Sequence, residues 1–150
     1  NHHAKRIFIK NSFDFMIESV GVFNNAKIVS MACDTIVSKL KYLITNIDNT
    51  KIFKLKYDNT TIPYSVDVYL YNETYTIAKL IEYVFYEEYY RKKILTYTGC
   101  YKRHPHDNNM IIRIAFANEE DYNEENIKSI IKDNCSVNYR LFEKLKTYFE

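Results

Sequence analysis

The chain has 150 residues, of which 47% are hydrophobic and 27% charged, and its formal net charge is +2. This length suits one ordinary domain or two small ones, and so small a charge does not by itself indicate a nucleic-acid or membrane surface. Two glycines, Gly21 and Gly99, are too few and too far apart for a phosphate-binding loop or a nucleophile elbow. Three cysteines without a C-x-x-C pair exclude zinc ribbons and thioredoxin-like redox motifs, and they favour reduced thiols in an intracellular protein.

The first predicted unit is a strand followed by a long helix. Apolar and polar residues alternate over 13–18 (F-D-F-M-I-E), which predicts a half-buried strand ending before Gly21. Apolar residues then recur at spacings of three and four, which predicts an amphipathic helix from about 25 to 46. Asn24 or Asn25 is suited to cap its start.

A connector and three further elements are predicted in the middle of the chain. Residues 46–63 are polar and contain Asp-Asn turn signals, so we expect a boundary near residue 50 between two domains, 1–50 and 51–150. The alternation or helical spacing of apolar residues predicts a short strand over 51–57, a strand over 64–71 and a helix that ends near 91–93.

Two strands and a second long helix are predicted in the last third. Residues 94–101 are β-branched and aromatic, with Gly99 as a bulge or a point of close approach. Residues 110–116 form a mostly apolar strand whose single charge is Arg113. A helix over 123–149 would be roughly 40 Å long, and a long helix with an apolar seam usually packs on a partner helix. Its strand and helix repeat the order of the first unit, which suggests two related halves.

A C-x3-H-x-H cluster is the candidate metal site. Cys100, His104 and His106 could hold zinc, with His2 or His3 as the fourth ligand. A polar loop that follows a strand explains the same residues, and the spacing is not a recognised zinc signature. A small enzyme or metal protein using these three side chains is therefore one alternative function.

Charged runs supply the remaining candidates. Paired carboxylates occur at 87–88, 119–121 and 124–125, where solvated helix faces or helix starts explain them more simply than acid–base catalysis does. No nucleophile lies on a recognisable turn. Basic and aromatic residues at 89–93 and 101–104 suit phosphates and stacked bases, so a small nucleic-acid-binding module is the main alternative function.

Residues 72–116 resemble a known family. The segment N-E-T-Y-T-I-A-K-L-I-E-Y (72–83) is similar to the N-E-D-H-T-L-G-N-L-L-R-Y signature of small assembly subunits of multisubunit RNA polymerases, namely archaeal L and the eleventh subunit of eukaryotic polymerase II. The segment G-C-Y-K-R-H-P-H-D-N-N-M-I-I-R-I (99–114) runs without a gap against the family's G-Y-x-V-P-H-P-L-E-x-x-I-x-L-R-I. The matching positions include Asn72, Glu73, Thr76, Leu80, Gly99, His104, Pro105 and Arg113.

The start of the chain resembles the partner of that subunit. Residues 12–29 are similar to the end of archaeal D or the third-largest eukaryotic subunit, where F-x-F-x-V-E-S-x-G-x-L leads into a closing helix. The chain thus resembles a D-like tail (1–50) joined to an L-like domain (51–150), a fusion seen in large DNA viruses. Residue usage typical of an AT-rich genome suits a virus or a cytoplasmic plasmid.

The resemblance implies an α+β fold like the N-terminal domain of the bacterial α subunit, with two strand–helix halves paired as a pseudo-dimer through their long helices. It implies a non-catalytic platform for the two large polymerase subunits, with other small subunits as further partners. It also implies no cofactor, no metal, no membrane contact and no sequence-specific nucleic-acid contact. The expected location is cytoplasmic, in a virus factory, a virion or a plasmid-bearing cytoplasm, or nuclear for a cellular protein. The implied seam residues are Val29, Cys33, Ile36, Val37 and Leu40 on one helix and Ile127, Ile131, Leu141 and Leu145 on the other.

Overall fold

Three α-helices and a four-stranded antiparallel sheet make up the regular structure in a computed structural model, which describes residue 9 and residues 12–57 and 61–150. The predicted α+β class is confirmed. The elements are α1 (Asn25–Thr45), β1 (Phe53–Lys56), β2 (Ser65–Leu70), α2 (Tyr75–Val84) with a π-helical extension (Phe85–Tyr90), β3 (Leu95–Tyr101), β4 (Met110–Phe116) and α3 (Glu124–Lys146). Among these, no helix has both the length and the apolar composition needed to cross a membrane.

Helix α1 forms close to the predicted bounds because its sequence supplies both a cap and an apolar stripe. The Asn24 side chain accepts a hydrogen bond from the Lys27 amide at 2.7 Å, which satisfies one of the free N–H groups of the first turn. Cys33, Leu40 and Leu43 recur on one face and are buried. The predicted domain boundary near residue 50 falls in the turn after α1, and apolar side chains from both sides of it share one hydrophobic core.

The predicted strand over 13–18 is wrong for this structure. Residues 12–20 have no regular secondary structure, and 86% of Phe15 is exposed. The sheet order is β1-β2-β4-β3 and contains no neighbour for this segment. Alternating apolar and polar residues suit a strand with one buried face, but a strand forms only where another strand pairs with it through hydrogen bonds. The expected repeat of two strand–helix units is therefore incomplete within the described residues.

The sheet presents one face to the helices and an opposite face away from them, called the outer face below. On the helix side, Val66 and Val68 of β2 and Ile112 and Ile114 of β4 join the core. On the outer face, Asp67 lies opposite Arg113 in the register of β2 and β4. Strand β2 is buried on both faces, as expected for a central strand.

Gly99 was predicted to be a bulge or a point of close approach, and strand β3 contains each of these features at a different position. The register slips between Leu95 and Tyr97, which places the bulge ahead of the glycine. Gly99 is instead the point of close approach, because a Cβ atom built there would lie 2.7 Å from the Tyr97 hydroxyl oxygen.

Helix α3 is long and begins with a side-chain cap. The Asn123 side chain accepts from the Asn126 amide at 2.8 Å, and acidic residues in the first turn and lysines in the last turn match the helix dipole. Its 23 residues extend over roughly 34 Å. The helix was predicted over 123–149 and forms over Glu124–Lys146.

Burial in α1 predicts a large difference between two truncations. Leu40 is fully buried in the core, whereas Met31 on the same helix is exposed. Leu40→Ala should lower the free energy of unfolding by about 3 kcal/mol, since it removes packed methyl groups and leaves a cavity. Met31→Ala should change it by about 0.5 kcal/mol or less. Urea unfolding followed by circular dichroism measures both, and equal effects would contradict the packing of α1.

Candidate interaction surface

Helices α1 and α3 lie side by side in antiparallel orientation. Buried apolar side chains fill the contact, and ion pairs line its edge. The ion pairs are Asp34 with Lys146 (2.9 Å), Lys41 with Glu143 (2.6 Å) and Asp48 with Lys128 (2.9 Å). The residue number rises along α1 and the turn after it while that of the partner falls along α3, so the helices run in opposite directions. Each pair has a well-exposed member, so burial rather than charge stabilises the contact.

Seven of the nine candidate seam residues are buried or half-buried, and two are exposed. Cys33, Val37, Leu40, Ile127 and Ile131 are buried, and Val29 and Ile36 are half-buried. By contrast, 56% of Leu141 and 38% of Leu145 are exposed. Glu143 pairs with Lys41 of α1, and a residue two positions away on a helix points about 200° around the axis. Leu141 therefore faces away from α1 and is not buried between the two helices of this chain.

Two buried asparagines attach α3 to α2. The Asn134 side-chain amide donates to the Ile81 carbonyl at 2.8 Å, and that of Asn138 donates to the Leu80 carbonyl at 3.2 Å. Asn138 also donates to the Asn134 side chain at 3.0 Å. Buried amides of this kind are costly when unbonded, so they favour one relative position of the two helices.

The stripe of α3 that carries these asparagines continues into exposed apolar side chains. Val137, Leu141, Leu145 and Tyr148 follow at steps of four, four and three and are exposed; they are called the α3 stripe here. Their spacing places the first three on one side of α3, and Tyr148 follows in the turn just after the helix. Among the residues that the structure describes, none covers this part of the stripe.

A second exposed apolar segment precedes α1. Residues 13–23, called the N-terminal ribbon here, contain seven exposed large apolar side chains. The Asn25 side chain donates to the Ile17 carbonyl at 2.7 Å, which holds the ribbon beside the start of α1. Because Asp34 of α1 pairs with Lys146 of α3, the start of α1 and the end of α3 lie toward the same end of the helix pair. The ribbon and the α3 stripe therefore lie toward the same end of the molecule.

The residues that resemble the N-E-x-x-T signature lie at the turn from β2 into α2. Asn72 adopts the left-handed conformation, with φ of 57°, which asparagine tolerates better than most residues. Glu73 is buried and accepts from Lys39 of α1 at 2.9 Å, so it joins this turn to the N-terminal helix. Thr76 is exposed in the first turn of α2.

The single charge of β4 is explained by a buried partner on β2. Arg113 donates to the two carboxylate oxygens of Asp67 at 2.6 and 2.7 Å, and only 2% of Asp67 is exposed. The Tyr101 hydroxyl donates to Asp67 at 2.9 Å and accepts from Arg113 at 3.0 Å. Burial, and then the hydrogen bond to Asp67, raises the pKa of Tyr101 to about 12. The hydrogen bond to Asp67 also raises the pKa of Arg113, so the guanidinium keeps its charge.

Cys100 is a protonated thiol that is hydrogen-bonded to a carboxylate. Its sulfur donates to Glu82 Oε2 at 3.0 Å. Burial, and then the neighbouring Glu82, raises the pKa of Cys100 to about 11. A metal ligand or a nucleophile needs the thiolate, which this environment disfavours.

The two histidines of the predicted cluster lie in an exposed loop around Pro105. Their ring centroids are 5.1 Å apart, and His104 Nδ1 accepts from the His106 amide at 3.2 Å. His2 and His3 lie outside the described residues. Within residues 12–57 and 61–150, no group of three or more His, Cys, Asp or Glu side chains is arranged to hold a metal ion.

The acidic run at 87–88 is paired locally, and the two basic-aromatic patches are far apart. Glu87 pairs with Arg91 at 2.6 Å, one helical turn along, and the neighbouring Glu88 and Lys92 pair likewise. Patch 89–93 precedes β3 and patch 101–104 follows it, so roughly 20 Å separates them. The structure does not combine them into one surface.

Comparison with known proteins does not identify a family. No protein-family model matches the chain, and no curated protein matches its sequence significantly. The resemblance to polymerase subunits therefore rests on the residues quoted above.

The Asp67–Arg113 pair predicts a non-additive pair of variants. Arg113→Met should lower the free energy of unfolding by about 3 kcal/mol, because it leaves a buried carboxylate without its partner. The double variant Asp67→Leu/Arg113→Met should recover most of that loss, because it removes both charges. Thermal and urea unfolding of both proteins measure this, and a double variant no more stable than Arg113→Met would contradict the pairing.

Cys100 should react slowly with alkylating agents. At pH 8, below its raised pKa of about 11, the thiolate fraction is roughly a hundredfold lower than for an unperturbed cysteine. Timed iodoacetamide labelling with peptide mass spectrometry measures this rate. Glu82→Gln should accelerate the labelling, because it removes the carboxylate that disfavours the thiolate. An unchanged rate in that variant would assign the protection to burial alone.

Proposed function

We propose that this chain is a non-catalytic assembly subunit of a multisubunit DNA-directed RNA polymerase. In this proposal a D-like tail and an L-like domain pair as a pseudo-dimer, in a fold like the N-terminal domain of the bacterial α subunit. The pair offers a platform to the two large catalytic subunits and contacts other small subunits. It works where that polymerase transcribes, in a virus factory or plasmid-bearing cytoplasm, or in the nucleus of a cellular host.

The observation that carries the scaffold role is the apolar surface at one end of the helix pair. The N-terminal ribbon and the α3 stripe expose large apolar side chains there, including Phe15 and Leu141. Single exposed apolar residues are common on soluble proteins, whereas neighbouring groups of them mark interaction sites. Residues 13–18 of the ribbon also alternate in polarity and pair with no strand of this sheet, and a segment of that pattern is suited to adding to the sheet edge of a partner.

The positions that resemble the polymerase family support the same function through the contacts they make. Glu73 joins α2 to α1, and Arg113 joins β4 to β2. The Leu80 carbonyl is bonded to α3, and Gly99 makes room for an aromatic ring. Each contact maintains the arrangement of elements rather than building a reactive centre, as an architectural signature would.

The residues considered for catalysis favour a scaffold over an enzyme. Cys100 is kept protonated, and the carboxylates of 87–88 are neutralised by cations one turn away. General acid–base catalysis needs carboxylates that converge in a cleft with separated pKa values. The polymerase identity itself depends on the resemblance of 72–83 and 99–114.

Leu141→Asp separates partner binding from folding. Because Leu141 is exposed in the free chain, the substitution should change the free energy of unfolding by about 0.5 kcal/mol or less. In the assembled polymerase it would place an unpaired charge in an apolar contact, which costs several kcal/mol. Affinity purification of the tagged chain from its own cells, with mass spectrometry of what co-purifies, should recover both large polymerase subunits with the natural sequence and neither with the variant.

Ser129→Asp is the matched control, since it adds the same charge at an exposed position on α3 away from the stripe. It should leave co-purification unchanged. The proposal fails if the natural chain recovers no polymerase subunit, or if Leu141→Asp recovers them as well as Ser129→Asp does.

A further inference from the structure

The outer face of the sheet carries aromatic and basic side chains in ordered rows. The registers align Lys56, Asp67, Arg113 and Gly99 in one row across the four strands, and Lys54, Tyr69, Ile111 and Tyr101 in another. Residues two apart on a strand share a face. Tyr97 therefore lies on the outer face beside Gly99 on β3.

The outward side chains of the strands are predominantly cationic. Lys54, Lys56 and Arg113 are opposed by one carboxylate, Asp67, which is already bonded to Arg113. Lys54 is exposed, and the Lys56 ammonium lies 4.3 Å from the ring centroid of Tyr69. The β1 side of this face therefore offers two lysine charges to an anionic ligand.

The β3 side offers an aromatic ring laid against the strand. The Tyr97 hydroxyl oxygen and two of its ring carbons, Cζ and Cε1, lie 2.7, 3.2 and 3.4 Å from the position that a Cβ atom of Gly99 would occupy. The ring therefore folds over the glycine instead of standing upright from the sheet. Since 41% of Tyr97 is exposed, the side of the ring turned away from Gly99 is open to solvent.

We propose that the outer face binds a short stretch of single-stranded nucleic acid, with a base stacked on Tyr97 and phosphates at Lys54 and Lys56. Strands β1 and β3 lie three strand spacings apart, roughly 14 Å, which is a span of a few nucleotides. Exposed aromatic rings combined with cations on one surface hold single strands without regard to sequence, because every base has a face that can stack. An acidic protein would satisfy the lysines but would leave the ring above Gly99 without a function.

This surface includes Tyr101 of patch 101–104, but the proposed contacts are made by Lys54, Lys56 and Tyr97, which lie in neither patch. These residues lie on the two edge strands, β1 and β3, and the Tyr97 ring lies over Gly99. Only the strand register shows that they share one face of the sheet. The inference does not rest on the assembly role, because binding by the purified chain is measured without any other subunit.

Fluorescence anisotropy of labelled twelve-nucleotide oligo(dT) and oligo(U), titrated with the 150-residue chain at several salt concentrations, tests the proposal. Tyr97→Ala should weaken binding about tenfold through lost stacking, whereas Tyr97→Phe should bind like the natural chain. Gly99→Ala should weaken binding as well, because its Cβ displaces the ring. Lys54→Gln/Lys56→Gln should reduce the slope of log affinity against log salt by about 1.4, the value for two phosphate contacts on a single strand.

Lys92→Gln, in the patch that precedes β3, is the control and should bind normally. Circular dichroism and thermal unfolding establish that each variant is folded. The proposal is overturned if neither oligonucleotide binds at low salt, or if Lys92→Gln loses binding while the outer-face variants retain it. It is also overturned if polyglutamate competes as well as an unlabelled oligonucleotide and Tyr97→Ala has no effect, since the face would then be a site for acidic proteins.

Discussion

Helix α1 packs along α3, and this contact determines what the rest of the chain can bury. The apolar stripe of α1, with Leu40 and Leu43, shares one core with Ile127 and Ile131 of α3 and with the sheet. The ion pairs along its edge are largely exposed and set direction more than stability. Backbone hydrogen bonds hold the four strands of the sheet together, whereas α1 is held mainly by the packing of its side chains. The same packing places the start of α1 and the end of α3 toward the same end of the helix pair.

Buried polar contacts give this arrangement its specificity. The Asp67–Arg113 pair joins the two central strands, and Asn134 and Asn138 join α3 to α2. Such groups add little net stability when satisfied, yet any arrangement that separates them leaves a polar atom buried without a partner. The apolar core favours many compact arrangements of these elements, and the polar contacts disfavour nearly all of them.

The periodic elements were predictable because amphipathic patterns depend on the local sequence alone. Helix α1, strands β2 and β4 and helix α3 all form within a few residues of the expected bounds. The segment 13–18 has an equally good pattern and forms no strand, because pairing depends on a neighbour that the pattern does not supply. The exposure of Leu141 was not predictable either, since spacing shows that residues share a face but not which element that face meets.

Partners across the sheet could not be derived from sequence at all. Arg113 was recognised as an isolated charge, but its pairing with Asp67 depends on the register of two strands 46 residues apart in the chain. The position of Tyr97 over Gly99 depends on a side-chain rotamer, and the π-helical turn at Phe85–Tyr90 follows residues that also suit an ordinary helix. An outward aromatic residue two positions before a glycine in a strand, as Tyr97 is before Gly99, is nevertheless a signal worth noting when the same face carries cations.

The N-terminal ribbon has a consequence for the life of the protein in its cell. In the proposed function, a newly made copy that has not met its partners displays exposed apolar side chains of the kind that chaperones and proteases act upon. Surplus copies would then be degraded or would aggregate, and the steady-state amount of the chain would follow the supply of the subunit that covers the ribbon. Under that proposal, residues 13–23 make balanced synthesis of the components a requirement.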